Sequence, residues 1–181
     1  GRSQLSYAIN PGAALTLGFD VGGTKVAGAI ADLRGQILSE LTEPTAQHSA
    51  GALVAQLDRM ASAMCDAAGV RRFRLRQASI GVPAAVHPEN AMLSLAGNLP
   101  GLEGGNLRTA LVEALGMDVL IDNDVNLALL AECSQGAAYG KNNVAFVALG
   151  TGIGGALMIN GHLLRGAHGG AGELGYMPLW Q

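Results

Sequence analysis

Apolar residues recur along this chain with two different periods, and the switches between them mark out its elements. Alternation over Leu15-Thr16-Leu17-Gly18-Phe19-Asp20 predicts a strand, and Val26 to Ala31 and Gln36 to Leu41 predict two more. The Gly22-Gly23 and Arg34-Gly35 turns between them make an antiparallel meander. From Ala52 to Ala68 the period changes: Leu53, Leu57, Met60, Met64 and Ala68 fall on one helical face, and Gly69 ends the helix. Gln77 to Val82 reads as a buried strand stopped by Pro83. A short helix over Leu107 to Leu115 is closed by Gly116 and followed by a strand from Val119 to Asp122. Asn123 or Asp124 caps the next helix, Val125 to Cys133. Val144 to Leu149 and Ala156 to Asn160 are strands around a second glycine turn, and Asn160-Gly161 signals a hairpin.

The second opening imitates the first: strand, glycine turn, strand, hairpin. This order predicts a duplicated α/β unit whose second copy is unfinished, with a break near Gly116 to Val119. Residues 1–13, which end in the turn signal Asn10-Pro11-Gly12, then read as a linker. Residues 14–117 are expected to form a first lobe and 118–181 part of a second.

Composition narrows the class. Hydrophobic residues make up 49% of the 181 and charged ones 14%, against a usual charged share of about 25%. The chain is therefore globular, and its net charge of -3 argues against holding DNA or an acidic membrane by itself. Cys65 and Cys133 are the two cysteines, with no CxxC, so neither a disulfide framework nor a complete zinc site is expected. No apolar run is long enough to span a membrane, and a reducing cytoplasmic setting fits.

The chemistry concentrates at the glycines. Asp20-Val21-Gly22-Gly23-Thr24-Lys25 and Gly150-Thr151-Gly152-Ile153-Gly154-Gly155 each follow a predicted strand and lead into another. Consecutive glycine amides can form an anion-binding concavity, and two such turns facing one gap could hold a nucleotide. A P-loop is excluded, because Thr24-Lys25 reverses the required order and a strand follows. Gly150, Gly152 and Gly155 match GxGxxG, but a Rossmann turn must open a helix, and Ala156 to Gly161 does not read as one. Ordinary glycine hairpins are the plain alternative for either turn alone; their common place at the start of duplicated units favours phosphate binding. Asp122 and Asp124 follow a strand and open a helix, where α/β sheets place ligands, although helix capping accounts equally well for an isolated Asp. Glu173, among glycines 169 to 175, can accept hydrogen bonds from sugar hydroxyls or serve as a solvated loop charge. His162 reads as surface and His168 is unassigned, while His48 and His87 lack partners at metal spacing.

Taken in order, these segments together with Gly81-Val82-Pro83, Gly97-Asn98-Leu99-Pro100, Asn123-Asp124-Val125-Asn126 and Gly166-Ala167-His168-Gly169 through Glu173 resemble the ROK family of bacterial sugar kinases and sugar-responsive repressors. The resemblance runs from about Leu15 to Gln181 and implies an actin-like, ribonuclease H-like duplicated ATPase fold: the first lobe and the beginning of a second. It implies that Asp20, Gly22, Gly23, Thr24 and Lys25 form a first phosphate loop, and that Thr151, Gly152 and Gly154 belong to a second. Asn98, Asn123, Asp124 and Glu173 would hold sugar hydroxyls, with Asp124 as the base. Two positions depart from the family pattern: Ala84 replaces a glycine after Pro83, and Tyr176 replaces the histidine of Glu-x-Gly-His. Tyr176 can still hydrogen-bond a sugar but is a poor zinc ligand, and the chain stops before the family's cysteine cluster, so no structural zinc is expected here.

Gly1-Arg2-Ser3 to Asn10-Pro11 resembles the join between a helix-turn-helix and the sugar-sensing domain of ROK repressors. The leading expectation is therefore the effector domain of a ROK transcriptional regulator. It would bind a sugar or sugar phosphate, touch DNA only through a module outside this chain, and form homo-oligomers. The alternative is an ATP- and Mg²⁺-dependent hexose kinase of glucokinase type, of which this segment alone would be inactive.

Overall fold

The structure, a computed structural model, describes residues 7–46, 49–95, 106–150 and 152–177. Asn98, Thr151 and His48 lie outside the described residues. After a short 3-10 turn at Pro11–Ala13, strands β1 (Leu15–Val21), β2 (Lys25–Asp32) and β3 (Ile37–Pro44) form the expected antiparallel meander. Strands β4 (Leu75–Val82) and β7 (Asp118–Asn123) extend it in parallel, giving the order β3-β2-β1-β4-β7. β7 pairs with β4 along Gln77 to Val82, so sheet pairing runs across the break expected near residues 116–119.

Alternation sorts the side chains between the two faces of this sheet. Leu15, Leu17, Phe19 and Val21 of β1, Val26 and Ile30 of β2, and Ala78, Ile80 and Val82 of β4 are buried in one core. Helix α1 (Ala50–Ala68) lays Leu53, Leu57, Met60, Ala61 and Met64 on that face, and α2 (Leu107–Leu115) adds Leu107, Leu111 and Leu115. Each fully buried valine, leucine, isoleucine, phenylalanine or methionine among them contributes about 1.5–3 kcal/mol. The Ser49 hydroxyl accepts from the Ala52 amide to start α1, and Gly69 ends it in the left-handed region at φ 64°.

The opposite face of β4 carries Ser79 and Gly81, and helix α3 (Asp124–Gln135) lies over it. Gly81 lets α3 lie close, since a Cβ there would stand 3.4 Å from the Asp124 Cα and 3.3 Å from Leu127 Cδ1, a tight but not prohibitive fit. A second antiparallel sheet, β10-β9-β8, packs on α3 through Ala156 and Met158 against Leu129. Its strands are β8 (Val144–Leu149), β9 (Ile153–Ile159) and β10 (His162–Leu163), with Asn160-Gly161 as the hairpin turn, both at positive φ. Val147, Leu149, Ile153 and Leu157 remain exposed on these strands.

β9 begins three residues earlier than the sequence pattern indicates. Gly154 and Gly155 are extended ladder residues opposite Ala148 and Val147, and both lie tightly against neighbouring elements. Two short strands, β5 (Ala85–Val86) and β6 (Leu93–Ser94), pair next to the site and had no sequence signal. Among the described residues, no helix is long and apolar enough to cross a membrane.

Candidate functional site

The corner from β7 into α3 builds the centre of the site. Asn123 caps α3: its Oδ1 accepts from the Val125 amide at 2.9 Å and the Asn126 amide at 3.2 Å. Its Nδ2 donates to the Ala84 carbonyl at 3.2 Å, tying the corner to the segment after β4. Asn123 is 9% exposed, so both functional ends of this predicted sugar ligand are already engaged, and one amide hydrogen is left for a ligand. Asp124 is the first residue of α3, with Oδ1 accepting from the Val125 amide at 2.8 Å.

A cavity of about 380 Å³ opens at this corner, lined by Asn123, Asp124, Glu173, Tyr176, Gly152 and Gly154 among others. Burial is the main cause that raises the Asp124 carboxyl above its ordinary value; its bond to Val125 works the other way, and the negative charge of Asp20 adds to the rise. Burial likewise raises Glu173, followed by the charge of Asp124. Three carboxylates from β1, α3 and the loop after β10 are thus electrostatically in touch. Asp20 lines a second cavity, of about 720 Å³, and Asp124 and Val125 line both. Tyr176, in a 3-10 turn at Leu174–Tyr176, is 63% exposed at the edge of the first cavity.

The first glycine turn is placed differently. The Gly22 amide donates to the Lys25 carbonyl at 2.9 Å, and the Gly22 carbonyl accepts from the Thr45 hydroxyl at 2.6 Å. Thr45 also donates its amide to the Thr24 carbonyl at 3.0 Å. These bonds close the β1–β2 hairpin and pin it to the end of β3. Among the described residues, Gly22, Gly23, Thr24 and Lys25 line neither cavity around Asp124, and Thr24 and Lys25 are exposed. In the second turn the Gly150 amide donates to the Gly152 carbonyl at 3.0 Å, while Gly154 is a ladder residue of β9 opposite Ala148. The structure therefore unites Asn123, Asp124, Glu173, Tyr176, Gly152 and Gly154, adds Asp20 from the side, and leaves the Gly22–Lys25 turn apart.

Two features had no local sequence signal. Arg165 pairs with Asp122 across 43 residues, and the rings of His87 and His168 approach to 5.8 Å between centroids. Neither spacing matches a motif; only tertiary packing brings them together.

The chain belongs to the ROK family, whose pattern matches residues 16–181. A glucokinase of Halalkalibacterium halodurans is 32% identical over 172 residues, covering 90% of this chain and 49% of the relative. The crystal structure of a ROK glucokinase from Streptomyces griseus, in complex with glucose and AMPPNP, superposes with a TM-score of 0.82 at 30% identity. That match covers 92% of this chain and 51% of the other. A ROK transcriptional regulator homologous to the E. coli MLC protein gives a TM-score of 0.81 over 93% of this chain and 42% of its own; at 22% identity it speaks for the fold. The fold is the actin-like ATPase fold of these neighbours, and the chain spans about half the length of the curated relatives it matches.

Proposed function

We propose that this chain forms the sugar-holding half of a sugar kinase cleft. Asp124 would accept the proton of a hexose hydroxyl while that oxygen attacks the terminal phosphorus of ATP and ADP departs. Glu173 would accept hydrogen bonds from neighbouring hydroxyls and fix the ring. The observation that carries this reading is the pairing of Asp124 and Glu173 in one cavity, each carboxyl raised by burial. A base works best when its pKa lies nearer the working pH than a free carboxylate's. About 380 Å³ also lies within the usual range for small-ligand sites, about 300–1,000 Å³.

Asp20 and Asp124 suit a hard divalent cation such as Mg²⁺, since Mg²⁺ is commonly held by one or two carboxylates plus substrate phosphates. Burial is the main cause of the rise at Asp124, and the negative charge of Asp20 that adds to it is what such an ion would neutralise. The test is ADP release by the full-length protein across a hexose panel. Asp124→Asn should lower the rate by about 10²–10⁴-fold; an unchanged rate would refute the base.

A second reading, a sugar-sensing regulator, draws support from the first glycine turn. The Gly22 amide is committed within its hairpin and the turn lines neither cavity, so among the described residues the sugar side of the site is the better furnished. Such a protein would bind a sugar or sugar phosphate without transferring phosphate, and would pass closure on to a DNA-binding module. Operator affinity that changes with sugar, with no ADP released, would favour it over the kinase.

A further inference from the structure

Arg165 ties together the two segments that carry the cavity's carboxylates. Its Nε and Nη2 donate to one oxygen of Asp122, at 2.9 and 2.7 Å. The other Asp122 oxygen accepts from the Asn123 amide at 2.8 Å and from Asn126 Nδ2 at 3.0 Å. Asp122 is 9% exposed, so a nearly buried carboxylate has four donors, two from each side. It stands two residues before Asp124 and next to the cap of α3, on the corner that positions the proposed base.

Arg165 also closes its own loop. Its carbonyl accepts from the Ala171 amide at 3.1 Å, two residues before Glu173. Other contacts of this loop lead to β5 and β9: His168 meets His87, Gly169 lies so tightly on Val86 that a Cβ would overlap its carbonyl, and Gly172 lies as tightly on the Gly155 carbonyl. Those contacts hold the loop's middle beside β5 and its end on β9, and none of them touches Asp122. Of the ion pairs among the described residues, Arg165–Asp122 alone joins the loop to that corner.

We propose that Arg165 is a positioning residue: through Asp122 it fixes Glu173 relative to Asp124 and thereby sets the affinity of the cavity for a hexose. This rests on the sugar-site reading above, so its test needs one readout that requires no sugar. A small error in the placement of binding groups is costly, whereas a surface ion pair with no such task is worth little.

The experiment uses the full-length protein with Arg165→Met, Arg165→Lys, Asp122→Asn and the double variant Arg165→Met/Asp122→Asn. The double variant removes the strut without leaving a buried charge unpaired. Hydrogen exchange without ligand should be at least about tenfold faster for the amides of residues 166–174 in Arg165→Met and in the double variant. Calorimetric affinity for glucose or N-acetylglucosamine, whichever the wild type binds, should fall about 10- to 100-fold in both. The double variant should lose no more than the worse single variant, and Arg165→Lys should recover part of the affinity. Wild-type exchange in a folded double variant overturns the proposal, as does faster exchange with wild-type affinity and no rescue by lysine. If the wild type binds neither sugar, the sugar-site reading falls and the positioning of Glu173 for a hexose falls with it, while unaltered sugar binding by the variants sinks the positioning role alone.

Discussion

Gly154 of β9 lies flat against Val125 in the first turn of α3: a Cβ on the glycine would stand 2.8 Å from the valine Cγ2. The second sheet is thus seated directly on the helix turn that carries Asp124. Gly154→Ala should overpack this contact and cost about 1–3 kcal/mol, seen as a lower thermal midpoint. Adding Val125→Ala should restore part of the loss, because it removes the methyl groups that the new Cβ meets. No restoration would show that the two residues are not energetically coupled.

Asp124 and Glu173 both have carboxyls raised above their ordinary values. The native state therefore holds these protons more tightly than the unfolded chain does. Their contribution to stability falls as pH rises from the unfolded carboxyl range, about pH 4, through the raised native values, and it stays lost above them. Asp124→Asn removes one of the charges and relieves Glu173. The variant should accordingly gain stability over the wild type near neutral pH, with the difference vanishing toward about pH 4. Midpoints recorded across this range in the full-length protein provide the comparison; a variant less stable at neutral pH would reverse the predicted sign.

Asn123 has a structural task whatever the ligand. Asn123→Ala removes the acceptor for two α3 amides and should cost about 0.5–2 kcal/mol. Asn123→Asp keeps the cap but loses the donor to Ala84 and sets another carboxylate beside Asp124. Chemical denaturation should show both variants less stable than the wild type, and hexose affinity should be reduced in both.

Lys25 is exposed and lines neither cavity. Lys25→Ala should leave hexose affinity within about twofold of the wild type, since surface changes away from a site are worth little. A larger loss would mean that the first turn reaches the sugar.

Local pattern carried most of the architecture. The spacing of Leu53, Leu57, Met60 and Met64 marked α1, and Gly69 marked its end, because burial on one face and a left-handed cap leave a direct trace in sequence. The meander and the Asn160-Gly161 hairpin were readable for the same reason. The site was only partly readable. Asp124 and Glu173 stood out as carboxylates at a helix start and in a glycine loop, and the cavity joins them. A glycine amide that faces an anion and one that, like that of Gly22, closes a hairpin look alike in sequence. Gly154 looks like a turn residue in sequence, whereas its lack of a side chain serves the packing of β9 on α3. The Arg165–Asp122 pair and the His87–His168 contact depend on tertiary closure and leave no periodic trace.

The most direct check on the sugar site is isothermal titration of the full-length protein with glucose and N-acetylglucosamine, repeated for Glu173→Gln. The wild type should bind at least one of them. Glu173→Gln should weaken that sugar by about tenfold or more, in keeping with the loss of a charged hydrogen-bond acceptor, about 1.5–3 kcal/mol. Equal affinity in the two proteins, or no binding by the wild type, would contradict a cavity in which Asp124 and Glu173 grip the hydroxyls.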